Sequence, residues 1–249
     1  MKRKFPVWPA TFVLAALYLL LAVYALKRGN ALLIGIVLVL LSMIPFLLRF
    51  ERRERQAREL VLLAVMAAIA AVSRFPFAAL LPGFTPVTFV VVVSGVAFGA
   101  EAGWMVGAVG ALVSNLFLGQ GPWTPWQMFA WGLAGYTAGL LAHRRPFWRR
   151  RLPLAAFGVC WGFLYGWIMN LTLVLDFWTR DHSWSAIAAL YAAGLPFDGV
   201  HAAANLFFLG VFGPAWIALL ARYRRKYGAL QRVQWEEEGG NERWAKHGG

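Results

Sequence analysis

The sequence predicts an all-α integral membrane protein with about eight transmembrane spans, and three observations lead to this fold class. Of the 249 residues, 60% are hydrophobic and only 14% are charged, and the mean hydropathy is +0.60. Apolar stretches recur along the chain, most of them near the roughly 20 residues that a helix needs to cross a bilayer. Basic residues fall in short groups between these stretches. A soluble domain of this size would not carry so much apolar sequence, so the lipid bilayer is the expected environment.

Eight apolar stretches define the predicted spans. The segment 186–195 is interpreted as a separate re-entrant or interfacial piece before the last span. The predicted spans are residues 8–26, 31–48, 60–81, 85–100, 102–118, 126–142, 152–175 and 197–221.

The distribution of Lys and Arg predicts the orientation. With the N-terminus inside, the inner segments carry 17 of the 24 basic residues and the outer segments carry 4. Cytoplasmic loops of membrane proteins are enriched in Lys and Arg. We therefore expect a multi-pass protein of a prokaryotic plasma membrane with both termini cytoplasmic. Because the net charge of +13 follows this loop pattern, nucleic acid is not an expected partner.

Charge and composition also divide the chain into four parts. Residues 1–50 are predicted to form a transmembrane hairpin of two helices, and residues 51–59 a charged cytoplasmic linker. Residues 60–226 are predicted to form a six-helix membrane domain. Residues 227–249 are polar and glycine-rich, which is typical of a disordered cytoplasmic tail.

A stripe of alanines lies on the first helix of the six-helix domain. Ala64, Ala67, Ala68 and Ala71 place small side chains at helical spacing, which allows another helix to approach closely. The stripe is either internal packing or a surface that docks a partner. For the glycine pairs at the same spacing elsewhere, such as Gly135 and Gly139, internal packing is the favoured interpretation.

Polar side chains inside or beside the apolar spans are the candidate binding residues. A buried polar group costs free energy unless it is paired, so several on one side of a membrane indicate a pocket for a polar organic ligand. Singly, each has a plainer explanation: an Asn bonding a neighbouring helix, Asp198 capping a helix start or pairing with His201, or Trp residues in an interfacial belt. The candidates are Phe84, Asn115, Gln120, Trp123, Trp126, Gln127, Asn170, Asp198, His201 and Asn205.

Two other functions are alternatives to ligand binding. A membrane-embedded metal enzyme could use Asp198 and His201, but catalytic zinc needs at least three placed ligands, and no other His-bearing helix is found on that side. A stand-alone secondary transporter should show duplicated halves or carboxylates near the midplane. Neither feature is evident, so we expect no catalytic residue, no metal and no cofactor.

The six-helix domain resembles the substrate-binding S components of energy-coupling factor (ECF) vitamin transporters. The resemblance rests on the Ala64-x-x-x-Ala68 stripe, on SNLFLGQGPWTPWQM followed by GLAGYTAGLL, and on PFDGVHAAANLFF in the last span. It implies a protein that binds a vitamin or its precursor from outside and topples in the membrane to release it. The expected partners are a transmembrane T component, which the alanine stripe would contact, and two cytoplasmic ATPases. The loop 75–84 would gate the pocket, and the hairpin 8–48 departs from the six-span pattern.

The expected ligand follows from the side chains of this pocket. Trp rings and amides without a buried Arg or Lys would suit a large neutral, amide-rich or planar compound such as a corrinoid. A smaller heterocyclic vitamin or base is the alternative.

Overall fold

The computed structural model describes residues 31–51, 57–143, 150–178 and 183–226, and every regular element in these ranges is helical. The predicted first span, 8–26, and the predicted tail, 227–249, lie outside the described residues. A short 3-10 turn, Leu141–His143, follows the sixth helix. The helices are α1 Ala31–Glu51, α2 Ala57–Val72, α3 Phe75–Leu80, α4 Val87–Phe98, α5 Ala100–Leu118, α6 Thr124–Leu140, α7 Arg151–Trp178 and α8 Trp184–Lys226.

Four helical stretches in the described residues are long and apolar enough to cross a membrane. They are Ala57–Phe77, Ala100–Leu118, Arg151–Leu175 and Trp184–Arg224, and Val87–Phe98 is a shorter apolar helix. The described chain is thus all-α and suited to a membrane. The count of eight spans and the division into domains remain predictions.

Helix α4 occupies the centre of the bundle. Its sequence, VTFVVVVSGVAF, is apolar on every side, and every residue except Val96 is buried. A helix without a polar face is stable only where neighbours or lipid surround it. Here α5, α6 and α8 pack around α4, so the other helices form a shell about it.

Glycines allow the helices of the bundle, α4 included, to come together closely. A Cβ atom on Gly95 or Gly103 would overlap the backbone carbonyl of Gly135, and one on Gly139 would overlap Ala100. The interpretation of these glycines as packing positions is confirmed. Such contacts provide van der Waals attraction, which drives helix association where lipid offers no hydrophobic force.

Helices α7 and α8 form an antiparallel pair with the same kind of contact. Going along α7, Gly158 meets Asn205, Gly162 meets Ala202, and Gly166 meets the Asp198 carboxylate. This pairing fixes the register of the two helices and decides where the polar residues of α8 point.

Helix α8 is continuous, which corrects two predictions. Residues 186–195 belong to α8 rather than to a separate piece, so Asp198 lies far inside the helix and does not cap its start. Pro196 and Pro214 lie within the helix, because neighbouring helices in a membrane protein can satisfy the backbone groups that proline frees. With 43 residues, α8 is about 65 Å long, roughly twice the hydrocarbon thickness of a bilayer.

Helix α1 packs against the core. Phe46 stacks on Trp104 at a centroid distance of 5.2 Å and meets Tyr136 edge-on at 4.9 Å. Arg49 Nη1 donates a hydrogen bond to the Tyr136 hydroxyl at 2.5 Å. The second helix of the predicted hairpin is therefore an integral part of the bundle.

The helix directions define two ends of the bundle. One end holds the candidate functional site and is named the site end; there α5 ends and α6 begins. At the opposite end, Arg224 Nη1 donates to the Ala97 carbonyl at 2.8 Å, just before α4 ends. Within the described ranges, Arg74 is the one basic residue at the site end. The others, at the opposite end, are Arg49, Arg58, Arg150, Arg151, Arg222, Arg224, Arg225 and Lys226.

Candidate functional site

Asn115, in the last turn of α5, is the hub of a buried hydrogen-bond network at the site end. Its amide nitrogen donates to Gln127 Oε1 at 2.7 Å and to Thr124 Oγ1 at 3.0 Å. Its side-chain oxygen accepts a bond from Arg74 Nη1 at 2.7 Å. Only 1% of Asn115 is exposed, so all three bonds form away from bulk water. The network therefore ties α5, α6 and the end of α2 together.

Arg74 is a charged residue that the pocket prediction did not include. It lies in the turn between α2 and α3, and its Nη1 also donates to Ser114 Oγ at 2.9 Å. The guanidinium carbon lies 5.3 Å from the centroid of the Trp131 ring, which is a cation–π distance. The expectation that the pocket contains no Arg or Lys is therefore wrong.

Thr88, in the first turn of α4, links Trp131 to His201. Its hydroxyl accepts a bond from Trp131 Nε1 at 3.1 Å and lies 2.9 Å from His201 Nε2. The Thr88 hydroxyl and His201 Nε2 share a hydrogen bond whose direction depends on the tautomer of the histidine. Tyr165 packs edge-on against His201 and tilted against Trp131, each at a centroid distance of 4.7 Å. Trp131 joins these aromatic rings to the Arg74 network, because its ring lies beside the guanidinium.

Because α4 is short, Thr88, Trp131, Tyr165 and His201 lie deeper in the bundle than the turns of the neighbouring helices at the site end. Thr88 lies in the first turn of α4, whereas its partner Trp131 lies about two turns into α6 and His201 nearly five turns into α8. Helix α4 therefore begins deeper in the bundle than α6 and α8. The segment between α3 and α4 fills part of the space above it.

Phe84 belongs to the segment between α3 and α4. Its ring lies 6.1 Å from Phe77 and 5.6 Å from Phe208, so the segment packs against α8 through aromatic contacts. Gly83 has φ +90, and a Cβ there would press on the Phe197 ring. Only glycine takes this backbone conformation easily and allows the close approach. The gate role of the loop 75–84 remains a prediction.

Two candidates lie at the exposed rim of the network. Gln120 Oε1 accepts a bond from Thr124 Oγ1 at 2.8 Å, and its amide nitrogen donates to the Leu112 carbonyl at 3.2 Å. Trp123 is 43% exposed, and its ring leaves no room for a Cβ on Gly121. These residues shape the turn between α5 and α6 rather than the buried part of the site.

Four predicted site residues point elsewhere. Trp126 is buried between the core and α1, where it contacts Gly35. Asp198 lies against Gly166 and Asn205 donates to the Gly158 carbonyl at 2.9 Å, so both are held in the contact between α7 and α8. Asn170 lies beside Gly194 in the same contact. Asp198, His201 and Asn205 share one face of α8 as expected, but their side chains do not meet at one site.

The α7–α8 register explains this divergence. On a helix, positions three and seven residues apart share a face, but that face is wide enough to touch two neighbours. Asp198 and Asn205 meet α7, whereas His201 lies toward α4. The plainer suggestion that His201 pairs with Asp198 is also wrong, because His201 Nε2 bonds Thr88 and the buried Asp198 Oδ2 has no hydrogen-bond partner among the described residues.

Of the site residues that were not predicted, one could have been identified from the sequence. Arg74 is an ionisable residue at the end of an apolar stretch, and such residues are functional candidates by default. Ser114, Thr124 and Thr88 are ordinary in apolar helices, and Trp131 and Tyr165 look like core aromatics. Nothing in the sequence distinguishes them before the helices are packed.

The structure splits the alanine stripe of α2. Ala64 and Ala68 are exposed, together with Val61 and Val65, the latter two at 63% and 48% exposure. Ala67 and Ala71 are 3% and 1% exposed, and Gly110 of α5 packs close to the Ala67 carbonyl. Ala67 and Ala71 therefore face the core, and a surface on this helix can use only Ala64 and Ala68.

In the described part of the chain, no group of three or more His, Cys, Asp and Glu residues could hold a metal ion. The Asp198 carboxylate and the His201 ring, which a metal enzyme would use together, contact different helices.

The fold and the site define a multi-pass membrane protein with a buried, arginine-containing polar site at one end of an apolar bundle. Residues 58–213 match the family described as ECF transporter, substrate-specific component. The match covers more than half of the chain, which therefore belongs to the family of ECF substrate-specific components. Membership implies association with a T component and an ATPase module. Comparisons with curated proteins and with solved structures give no match.

Proposed function

We propose that this protein binds a vitamin or related micronutrient at the site around Arg74 and Asn115, for ATP-driven uptake by an ECF-type importer. The observation that carries the proposal is the buried polar network itself. Five polar side chains converge there, one from the turn after α2 and two each from α5 and α6. They are Arg74, Ser114, Asn115, Thr124 and Gln127.

The site end is proposed to face the outside of the cell. Among the described residues, the basic residues other than Arg74 belong to or directly adjoin helix ends at the opposite end of the bundle. Lys and Arg in short loops are strongly biased toward the cytoplasm. An outward site would receive substrate before any step that consumes ATP.

The exposed face of α2 is proposed to dock the T component. Ala64 and Ala68 are exposed and small, and Val61 and Val65 beside them are apolar. A partner helix could approach this face closely, because small side chains allow backbone-to-backbone contact. The two cytoplasmic ATPases would act through that contact.

The substrate is proposed to be planar and rich in hydrogen-bonding groups, with a corrinoid as the favoured case and a smaller heterocyclic vitamin as the alternative. Trp131 and Tyr165 supply ring faces, and Gln127 and His201 supply polar groups. Because Arg74 is present, the side chains of the site no longer favour a neutral ligand. A corrinoid with its nucleotide remains compatible, since it carries a phosphodiester besides its amides.

The test is identification of the small molecules that co-purify with the full chain in mild detergent, by mass spectrometry. We expect one organic compound in near-stoichiometric amount, and cells with the chain and its ECF module should take it up in an ATP-dependent manner. Purified protein without a bound organic compound, together with no uptake of any vitamin by such cells, would overturn the proposal.

Neither alternative function gains support from a specific contact. A metal enzyme would need Asp198 and His201 on one ion, but Asp198 lies against Gly166 and His201 bonds Thr88. A stand-alone secondary transporter would need no T component, so uptake by cells that lack the ECF module would identify one.

A further inference from the structure

The guanidinium of Arg74 has one edge in use and one edge free. Both of its hydrogen bonds, to Ser114 Oγ and to Asn115 Oδ1, start from Nη1. Within the described part of the chain, Nε and Nη2 have no hydrogen-bond partner. These two nitrogens form the edge of the guanidinium that donates two parallel bonds to a carboxylate or phosphate.

The free edge is held in a fixed position. Ser114 and Asn115 bind one end of the group, and the ring of Trp131 lies 5.3 Å from its central carbon. Asn115 is fixed in turn by Gln127 and Thr124. A group that is already oriented loses little conformational entropy when a ligand arrives, so it binds more tightly than a free side chain would.

The charge of Arg74 is not balanced by its partners. In the described residues, its hydrogen-bond partners are a hydroxyl and an amide oxygen, and its ring partner is an indole. A half-buried cation without a carboxylate partner is costly, and in membrane proteins such residues mark substrate sites. An arriving anion would remove this cost.

We propose that Arg74 binds an oxyanion of the substrate, a carboxylate or a phosphate, through its free Nε and Nη2 edge. This assignment rests on the proposed function and adds a substrate class to it. Because the Trp131 ring lies beside Arg74 and the Tyr165 ring packs against Trp131, aromatic rings border the site, and the anionic group should be attached to a planar ring.

The test uses three compounds with one ring system: 1-naphthoate, 1-naphthyl phosphate and the neutral 1-naphthamide. Their dissociation constants are measured by isothermal titration calorimetry on the full chain in mild detergent. We expect at least one of the two anions to bind the wild-type protein about ten- to 150-fold more tightly than the amide, the range for charge-assisted hydrogen bonds. The anion that gains this preference identifies the group as a carboxylate or a phosphate.

Variants test whether Arg74 causes the preference for an anion over the amide. Arg74→Gln should abolish it, and Arg74→Lys, which keeps the charge but lacks the paired donors, should retain only a minor part. Arg224→Gln is the matched control, because Arg224 binds the Ala97 carbonyl at the opposite end, and it should keep the full preference. Thermal unfolding checks each fold, and if Arg74→Gln does not fold, Arg74→Lys alone decides.

The proposal is overturned if none of the three compounds binds, if the amide binds as well as both anions, or if the Arg74 variants keep the preference. Its failure is distinct from failure of the proposed function. If the co-purified compound is taken up but binds wild type and Arg74→Gln equally, only the oxyanion assignment is wrong. If Arg74 selects the naphthyl anions but no uptake occurs, the anion site stands and the transport role is wrong.

Discussion

At the scale of single residues, Asn115 and Asn205 illustrate two uses of a buried amide in an apolar helix. Asn115 bonds three side chains, and through Arg74 it fixes the only charge of the network. Asn205 makes one described bond, to the backbone of α7, and its Oδ1 is buried without a partner. Asn115 therefore organises the site, whereas Asn205 holds two helices together.

These two asparagines make a matched pair for mutation. We expect Asn115→Ala to lower the affinity for the co-purified compound by about five- to 150-fold, because Arg74 and Gln127 each lose a partner that positions them. Asn205→Ala should leave that affinity within about twofold of wild type. Both should lower the unfolding free energy by about 1–2 kcal/mol, measured by thermal unfolding in detergent. Equal affinity losses in the two variants would show that Asn115 acts only through stability.

The residues of the site were partly predictable from the sequence. The sequence predicts Asn115, Gln127 and His201 as site residues, because each is polar within an apolar helix, and the structure brings them into one connected group. Asp198 and Asn205 satisfied the same criterion but bind α7. The difference depends on the glycines at 158 and 166, which draw these two side chains into the helix contact. Periodicity along one helix does not contain this information about its neighbour.

At the scale of elements, α4 and α8 differ in how far the sequence predicts them. Helix α4 is apolar on all sides and short, which the sequence shows directly. Lipid or neighbouring helices can surround such a helix, so its central position is known only from the structure. Helix α8 contains Pro196, where the sequence predicts an interruption of the helix, because proline ends most helices in water. Within a bundle the neighbours satisfy the freed groups, so the helix continues.

Helix α1 offers a test of whether the segment before residue 57 is part of the folded core. Phe46→Ala removes a stacked and an edge-on aromatic contact, and we expect a loss of about 1–2 kcal/mol in unfolding free energy. Leu47→Ala is the control, because Leu47 is 45% exposed and its loss should be nearly neutral. Thermal unfolding of both variants measures the difference. Identical stabilities would mean that α1 associates only loosely with the core.

The exposed face of α2 leads to a prediction about coupling. A Trp at Ala64 or Ala68 should abolish uptake while ligand binding to the isolated protein stays within about twofold of wild type, because close approach of a partner helix fails. Ala156→Trp, an exposed position on α7, is the control and should transport normally. Ala67→Trp should instead reduce the yield of folded protein, because that position is 3% exposed. Parallel loss of binding and uptake in the Ala64 and Ala68 variants would contradict the docking role.

At the scale of the whole molecule, the bundle has a marked polarity along its axis. The described basic residues other than Arg74 lie at one end, and the hydrogen-bonded site lies toward the other. The sequence predicted this asymmetry from charge counts alone, since loop charges need no knowledge of packing. It did not predict that Arg74 turns inward, because a charge count treats every loop arginine alike.

The orientation of this axis is the last prediction. In a Cys160→Ala background, which removes the single cysteine, Pro122→Cys and Arg222→Cys place thiols on exposed residues at the two ends. Pro122 is preferred to Gly121, whose Cβ would meet the Trp123 ring. A membrane-impermeant maleimide added to intact cells should label the cysteine at 122, and the cysteine at 222 should react only after the membrane is opened. This follows because Arg222 belongs to the basic end, which the positive-inside rule assigns to the cytoplasm. The reverse pattern would place the site on the cytoplasmic side, where it could not receive a nutrient from outside.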